Sequence, residues 1–128
     1  MRFILDTHAF LWFIMGSPNL SSQAKVLIEG QDNNKLLSIA SVWEMAIKVS
    51  LGRLIISEPF SIFIPKQLQL NGINLLNLDL SHAIKVEALP FYHRDPFDRI
   101  IAAQSIIEDI PIISIDEIFE KYSVKRFW

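Results

Sequence analysis

Cysteine is absent from this chain of 128 residues. Its absence excludes a disulfide framework, a thiolate zinc site, an iron–sulfur cluster and a thiol nucleophile, so any bound metal must be held by oxygen or histidine. Repeats and low-complexity tracts are also missing, and the 51% hydrophobic content excludes intrinsic disorder. The length is about that of one domain, and we expect a single domain over residues 1–128.

A strong charge of either sign is missing as well. The formal net charge is −2, so the chain as a whole does not attract nucleic acid or an anionic membrane, although local basic patches are not excluded. The longest uninterrupted apolar run, Ala9–Met15, is far shorter than the roughly 18–20 residues that cross a bilayer. Arg2 followed by this run faintly resembles a secretion signal, but Asp6 and His8 interrupt the segment in which such a signal needs an unbroken apolar region. We therefore expect a cytoplasmic, unprocessed protein.

Short apolar runs alternate along the chain with segments of helical periodicity. Runs that are apolar on both faces predict parallel strands at Arg2–Leu5, Leu36–Ala40, Ile73–Leu78 and Ile112–Ile115, with an edge strand at Val124–Trp128. Helical spacing of apolar residues predicts helices around Ala9–Met15, Ala24–Ile28, Val42–Val49, Phe60–Leu70, Ile84–Leu89 and Ile100–Ile107. The alternation predicts an α/β protein, with a three-layer α/β/α fold and a mainly parallel central sheet.

Four acidic residues fall at equivalent places in this predicted fold. Asp6 ends the first predicted strand, and Asp116 ends the predicted strand Ile112–Ile115. Glu44 and Asp98 lie in the first turns of predicted helices. In an open parallel sheet, the carboxyl ends of strands and the amino ends of the following helices share one rim, where ligands bind. The four carboxylates are therefore expected to converge there.

Helix capping is a local alternative for each of these acids. Ser41–Glu44 fits an S-x-x-E capping box, and Asp95–Asp98 offers an N-cap, a proline at the first helical position and an acid that the helix dipole favours. Asp116 can cap the turn that begins at Glu117, and Asp6 can cap the helix that follows it.

The joint occurrence of the acids favours a metal site over separate caps. Carboxylates within about 4–6 Å repel one another, so one must be protonated unless a cation neutralises the group. Mg²⁺ or Mn²⁺ suits such a group because these hard ions take carboxylate and water oxygens. Such a cluster is suited to hydrolysing phosphodiester bonds with metal-activated water. Glu44 or Asp98 can also take the proton from water, and the sequence does not separate ligand from general base.

Four motifs in order carry a family resemblance. They are Ile4-Leu5-Asp6-Thr7-His8-Ala9, Ser41-Val42-Trp43-Glu44-Met45-Ala46-Ile47-Lys48, His93-Arg94-Asp95-Pro96-Phe97-Asp98-Arg99-Ile100-Ile101-Ala102-Ala103-Gln104 and Ser114-Ile115-Asp116. From Arg2 to about Tyr122, the chain resembles PIN-domain ribonucleases, specifically the VapC-like toxins of type II toxin–antitoxin systems. The resemblance implies a PIN-like fold and a metal-dependent endoribonuclease that acts as a toxin.

The resemblance also implies a site and partners. It implies a catalytic, metal-binding acidic cluster for one or two Mg²⁺ or Mn²⁺ ions, formed by Asp6, Glu44, Asp98 and Asp116. Thr7 and Ser114 are implied as supporting polar groups, and Asp95 is either the N-cap or a metal ligand. The implied partners are an RNA substrate, a second copy of the chain and a cognate antitoxin. The segment Ala9–Met15, apolar nearly all round, either packs deeply or forms an association face.

An acidic pocket that binds a polyanion needs cations nearby. The candidate phosphate contacts are Arg99, Arg94 and Lys48. The alternatives are an ion pair between Lys48 and Glu44, four residues apart on a helix, and a solvated helix face for Arg99. A small basic tail is also present, formed by Lys121, Lys125 and Arg126. Such a tail is more often a soluble edge than a groove that binds RNA.

Most other aromatic residues and histidines are assigned to packing. His8 is predicted to line the wall of the site, whereas His82 and His93 are interpreted as structural because the histidines share no metal-ligand spacing. Trp12 and Trp43 lie in apolar helical stretches, so we predict core packing rather than base stacking for them.

Three other functions compete with the nuclease. A magnesium phosphohydrolase of the haloacid dehalogenase type expects a second acid two residues after the first, where this chain has His8, and a receiver domain expects paired acids after its first strand. A catalytically silent PIN-like module that binds protein or RNA is the other alternative, and the complete acidic set argues against it. Metal-dependent cleavage of RNA distinguishes these functions.

Overall fold

The computed structural model describes all 128 residues and contains one five-stranded sheet. Its strands are β1 (Arg2–Leu5), β2 (Asn34–Ser38), β3 (Ile73–Leu76), β4 (Ile112–Ile113) and β5 (Arg126–Phe127). Their order in space is β3-β2-β1-β4-β5, and every neighbouring pair is parallel. The predicted parallel sheet is therefore confirmed, including the edge strand at the carboxyl end of the chain.

Helices connect every pair of consecutive strands. They are α1 (Thr7–Met15), α2 (Ser22–Glu29), α3 (Ile39–Ser50), α4 (Phe60–Asn71), α5 (Leu80–Ala88), α6 (Pro96–Glu108) and a 3₁₀ helix at Glu117–Tyr122. None of these helices has the length and apolar character needed to cross a membrane. The six α-helices correspond to the six segments of helical spacing predicted from the sequence.

Both faces of the sheet are covered by helices. Alternate residues of a strand point to opposite faces, so Phe3 and Leu5 of β1 are buried in a core with Met45 of α3, together with residues of α1 and α2. Ile4 points the other way, into a second core with Ile101 of α6 and residues of the 3₁₀ helix. This confirms the three-layer α/β/α fold, and it explains why the strands are apolar along their whole length.

Three strands end earlier than their apolar sequences predict. They end at Ser38 instead of Ala40, at Leu76 instead of Leu78 and at Ile113 instead of Ile115. The first stops because the Ser38 hydroxyl accepts a hydrogen bond from the Ala40 amide at 3.0 Å and caps α3. Apolar residues past a strand end can pack within a helix or loop, so hydrophobicity alone overestimates strand length.

The order of the strands along the sheet reverses at β1. The chain passes from β1 to β2 and β3 on one side, then returns to β4 on the other side of β1. A reversal of this kind opens a crevice outside the carboxyl ends of the two central strands. Asp6 directly follows β1 and Asp116 follows β4, and both line a cavity there.

Candidate metal centre

Asp6 is held at the end of β1 by two hydrogen bonds. Its Oδ1 accepts from the Ala9 amide at 2.7 Å, which makes Asp6 the N-cap of α1, and its Oδ2 accepts from the Ser114 hydroxyl. The Ser114 oxygen in turn accepts from the Asp116 amide at 3.0 Å. Asp6 therefore has both the local role of a cap and a position in the crevice, and Ser114 links the ends of β1 and β4.

Glu44 is brought to this region by α3 and held there by Thr7. The Thr7 hydroxyl donates to Glu44 Oε1 at 2.7 Å and lies 2.9 Å from the Ser41 hydroxyl. The prediction that Glu44 lies in the first turn is wrong, and so is the alternative of a capping box with Ser41, because the helix begins earlier, at Ile39, and Ser38 is its N-cap. Glu44 consequently lies in the second turn rather than the first, where its carboxylate is free to face α1.

The amino end of α6 presents two carboxylates with different roles. Asp95 Oδ1 accepts from the amides of Phe97 at 2.8 Å and Asp98 at 3.3 Å, so Asp95 is the N-cap and Pro96 takes the first helical position, as predicted. The Asp98 carboxylate makes no capping bond and lines the crevice.

His93 connects Asp98 and Asp116, so its interpretation as a structural residue is wrong. Its Nε2 lies 2.7 Å from Asp116 Oδ2 and 3.2 Å from Asp98 Oδ2. Its Nδ1 accepts from the Asp95 amide at 3.2 Å, which leaves Nε2 as the nitrogen that carries the proton. The sequence signal was its place at the start of the Asp95–Asp98 motif.

Burial and repulsion from neighbouring carboxylates disfavour the charged forms of Asp6 and Asp98. Burial raises the pKa of Asp6, which is only 5% exposed, against the effect of its hydrogen bonds. Burial is also the main cause that raises the pKa of Asp98 to about 7, and the negative charges of Asp95, Asp6 and Glu44 raise it further. The nearby His93 acts in the opposite direction. Carboxylates from four stretches of the chain therefore repel one another electrostatically.

This donor set fits a divalent cation. The crevice has a volume of about 370 Å³ and is lined by His8, Trp12, Ile115, His93 and three carboxylates, Asp6, Asp98 and Asp116. Glu44 approaches from α3, tied to α1 through Thr7. Hard divalent ions take oxygen ligands of this kind, and a cation relieves the repulsion that raises the pKa of Asp98. His8 lies on the wall of the site, as predicted.

The three predicted phosphate contacts have different surroundings. Arg99 is 5% exposed, and its guanidinium donates to the carbonyls of Val86, Leu89 and Pro90, so it cannot face a substrate in the crevice. The prediction for Arg99 is wrong because consecutive helix residues point about 100° apart, and only Asp98 faces the crevice. Lys48 Nζ lies 3.0 Å from Glu44 Oε2, which is the alternative ion pair. Arg94 is exposed beside the site.

The two tryptophans near the site are not core residues. Trp43 is 58% exposed and contacts the Phe97 ring edge-on, with 5.2 Å between ring centroids. Trp12 is half-buried between His8 and Trp128. The apolar sequence around Trp43 predicted core packing, but α3 turns this side chain outwards.

A family model identifies the chain. The model described as "PIN domain" matches residues 3–125. The chain belongs to the PIN domain family. Ribonuclease VapC16 of Mycobacterium tuberculosis is 33% identical to this PIN domain over 61 residues, which cover 48% of this chain and 43% of that protein. The resemblance to VapC-like PIN domains is thereby confirmed.

Solved structures share the fold of this PIN domain. VapBC2 from Rickettsia felis, bound to a DNA fragment from its promoter, superimposes with a TM-score of 0.73 at 13% identity, covering 99% of this chain and 98% of that chain. FitAcB from Neisseria gonorrhoeae superimposes with a TM-score of 0.69 at 19% identity, covering 98% of this chain and 96% of that chain. At these identities the likeness establishes the architecture.

Proposed function

We propose that this PIN domain is a divalent-metal-dependent endoribonuclease and the toxin of a type II toxin–antitoxin pair, acting in the cytoplasm. The observation that supports the proposal is the crevice at the switch point of the sheet, which is lined by carboxylates from three separate segments and which lies close enough to Glu44 for its charge to act on Asp98. Ligand atoms of His93, Asp98 and Asp116 lie within 4.8 Å of one another there. The match to a protein named Ribonuclease VapC16 supports RNA as the substrate.

The residues that would hold one or two Mg²⁺ or Mn²⁺ ions are Asp6, Asp98, Asp116 and Glu44. A divalent ion bound there supplies a Lewis acid that lowers the pKa of water and stabilises negative charge on a phosphodiester undergoing in-line attack. Such a donor set is all oxygen, which matches the preference of these two ions.

The neighbouring residues keep the carboxylates in place. Ser114 donates to Asp6, Thr7 donates to Glu44, and His93 donates to Asp116. Partners of this kind fix the orientation of metal ligands and typically change metal affinity or activity by about 10–100-fold when removed. The Asp98 carboxyl, with its pKa near neutrality, can hold or release a proton at working pH.

An exposed apolar surface supports the partner proposals. Trp43 and Ile47 of α3 and Leu51, which directly follows it, are exposed at intervals of four residues and so form one stripe. Trp43 contacts Phe97 at one end of this stripe. Such a stripe fits a partner helix. A solved structure with the same fold is described as a toxin–antitoxin complex from Klebsiella pneumoniae. We propose that a cognate antitoxin covers this stripe and that the chain pairs with a second copy.

RNA cleavage by the purified protein tests the proposed activity. We expect cleavage with Mg²⁺ or Mn²⁺, none with a chelator, and a loss on the order of 100-fold or more in Asp6→Asn, which removes a ligand charge at nearly constant shape. Asp32→Asn is the matched control, because Asp32 is an exposed loop aspartate outside the site. Equal rates for wild type and Asp6→Asn would refute the site, and no cleavage by folded wild type would favour the catalytically silent module.

A further inference from the structure

A second and larger cavity lies on the face of the sheet that α5 and α6 cover. Its volume is about 660 Å³, and the ends of α5, α6 and the 3₁₀ helix form its walls. Three lysines from two distant stretches of the chain line it: Lys85, Lys121 and Lys125. We call this cavity the lysine groove.

The lysines of this groove lack acidic partners. Lys25, Lys48 and Lys66 each have a carboxylate oxygen within 4.0 Å, whereas none of the three groove lysines does. Asp109 is the one acidic residue in the lining. Lys85 and Lys121 lie in the last turns of their helices, where the helix dipole favours a cation and offsets part of their repulsion. Three cations against one carboxylate still leave the groove positive in a chain whose net charge is −2.

A buried cation strengthens this positive field. The guanidinium of Arg99 lies under the carboxyl end of α5 and donates to the carbonyls of Val86, Leu89 and Pro90, without a carboxylate partner. Leu89 and Pro90 also line the groove. Because Arg99 is almost fully buried, solvent screens its charge less than that of a surface residue. The groove therefore attracts anions more strongly than its three lysines alone would.

The lysine groove adjoins the metal centre through Tyr122. Tyr122 lines the groove, and its hydroxyl accepts from the His93 amide at 2.9 Å. The half-exposed ring of Tyr92 lies beside it, with ring centroids 5.2 Å apart, and precedes His93 in the chain. A strand whose scissile phosphate lies at the acidic crevice can thus continue past Tyr92 into the groove. A positive channel with an aromatic ring is the usual way to hold single-stranded nucleic acid.

We propose that the lysine groove binds the phosphate backbone of single-stranded RNA next to the cleaved bond. This rests on the proposed nuclease function and explains how an acidic centre in an acidic protein holds a polyanion: affinity comes from the groove, and the carboxylates are left to hold the metal. Phosphates bound by lysine release counterions, so binding through the groove depends on salt.

Binding of labelled single-stranded RNA to the full chain in EDTA, measured by fluorescence anisotropy over a range of salt concentrations, tests the groove without cleavage. The test variant is Lys85→Gln/Lys121→Gln/Lys125→Gln. The control is Lys25→Gln/Arg53→Gln/Lys66→Gln, which removes the same charge from exposed positions elsewhere. We expect the groove variant to lose about tenfold or more in affinity and its log–log salt slope to fall by about 2, since each neutralised phosphate contributes about 0.7 for a single strand. The control should change affinity by less than about twofold.

Two results would overturn the proposal. Equal losses in both triple variants would mean that only net charge matters. Unchanged RNA binding in the groove variant would exclude this surface, and if the same variant lost binding of a poly-glutamate peptide, the groove would belong to an acidic polypeptide instead. Thermal unfolding of both triple variants is the control that checks whether they fold. Cleavage of RNA in Mn²⁺ by the wild type, measured in parallel, separates failure of the groove from failure of the nuclease assignment.

Discussion

The imidazole Nε2 of His93 lies 2.7 Å from Oδ2 of Asp116, although the two residues are 23 positions apart in the sequence. The other oxygen of Asp116, Oδ1, accepts from the Ile118 amide at 2.9 Å. Each oxygen of this carboxylate therefore has one fixed donor and still has a lone pair for a cation. His93 is in turn oriented by the Asp95 amide, so the cap of α6 and the carboxylate after β4 form one connected arrangement.

Replacing His93 by alanine is expected to weaken metal binding. Without the Nε2–H donor, the Asp116 carboxylate can rotate about its remaining bond, and we expect a loss of about 10–100-fold in Mn²⁺ affinity. His93→Gln supplies an amide donor and should recover part of the loss. Isothermal titration with Mn²⁺ measures both variants. Tighter binding in His93→Ala would show instead that the imidazole competes with the cation.

Metal affinity is expected to rise with pH. The pKa of Asp98 is raised to about 7, mainly by burial, so below that pH the cation must displace a proton. From this one group, Mn²⁺ affinity should rise about tenfold per pH unit up to about pH 7 and then level off. Asp98→Asn should bind more weakly and lose this part of the pH dependence. An affinity that is flat between about pH 5 and 7 in the wild type would contradict the raised pKa.

The stability of the metal-free protein should change with pH in the opposite direction. The folded pKa of Asp98 exceeds the unfolded value of 3.8, so the folded state retains a proton that the unfolded state has released. The stabilisation is full below pH 3.8 and is lost as pH rises through about 7. Urea unfolding in a chelator should therefore show a component of the free energy of unfolding that falls across this window and is absent in Asp98→Asn. A component that rises in the wild type would reverse the sign.

Asp95 is expected to matter more for stability than for metal binding. Its carboxylate already serves two amides of α6, and Asp95→Ala should lower the free energy of unfolding by about 1 kcal/mol. Asp95→Asn retains an acceptor oxygen and should cost less. Thermal unfolding together with Mn²⁺ titration separates the two roles. Complete loss of Mn²⁺ binding in Asp95→Asn, with stability unchanged, would make Asp95 a ligand.

The hydroxyl of Thr7 is expected to be needed for the position of Glu44. Thr7→Val keeps the shape of the side chain but removes the donor 2.7 Å from Glu44 Oε1, so we expect about 10–100-fold slower RNA cleavage. Thr7→Ser keeps the hydroxyl and should remain close to wild type. If the valine variant cleaves at the wild-type rate, the Lys48 ion pair alone is sufficient to hold Glu44.

Local sequence rules predicted the positions of the acids well. Asp6 and Asp116 follow strands, and Asp98 follows Asp95 and Pro96 in a helix start, so each position depends on residues nearby. The same local rules explain the error at Glu44, because Ser38 and Ser41 are both plausible caps and only the path of β2 decides between them.

Long-range placement was beyond the same rules. His93 lies in a loop, and only the packing of the 3₁₀ helix and β4 brings Asp116 to it. The exposure of Trp43 depends on which face of α3 meets the sheet, and its neighbours are apolar on both faces. The convergence of Lys85 with Lys121 and Lys125 likewise depends on the fold, which brings the end of α5 and the 3₁₀ region to one cavity, and the basic tail alone gave no sign of it.

The position of bound Mn²⁺ tests the central claim most directly, because its anomalous scattering locates the ion in a crystal of the wild-type protein. We predict a peak at the crevice, within coordination distance of carboxylate oxygens from Asp6, Asp98 and Asp116. A second cluster offers a built-in comparison, since Asp79, His82 and Glu108 also place possible ligand atoms within 4.8 Å of one another, while His82 Nδ1 already accepts from the Asp79 amide. A peak at that cluster and none at the crevice would contradict the proposed metal centre.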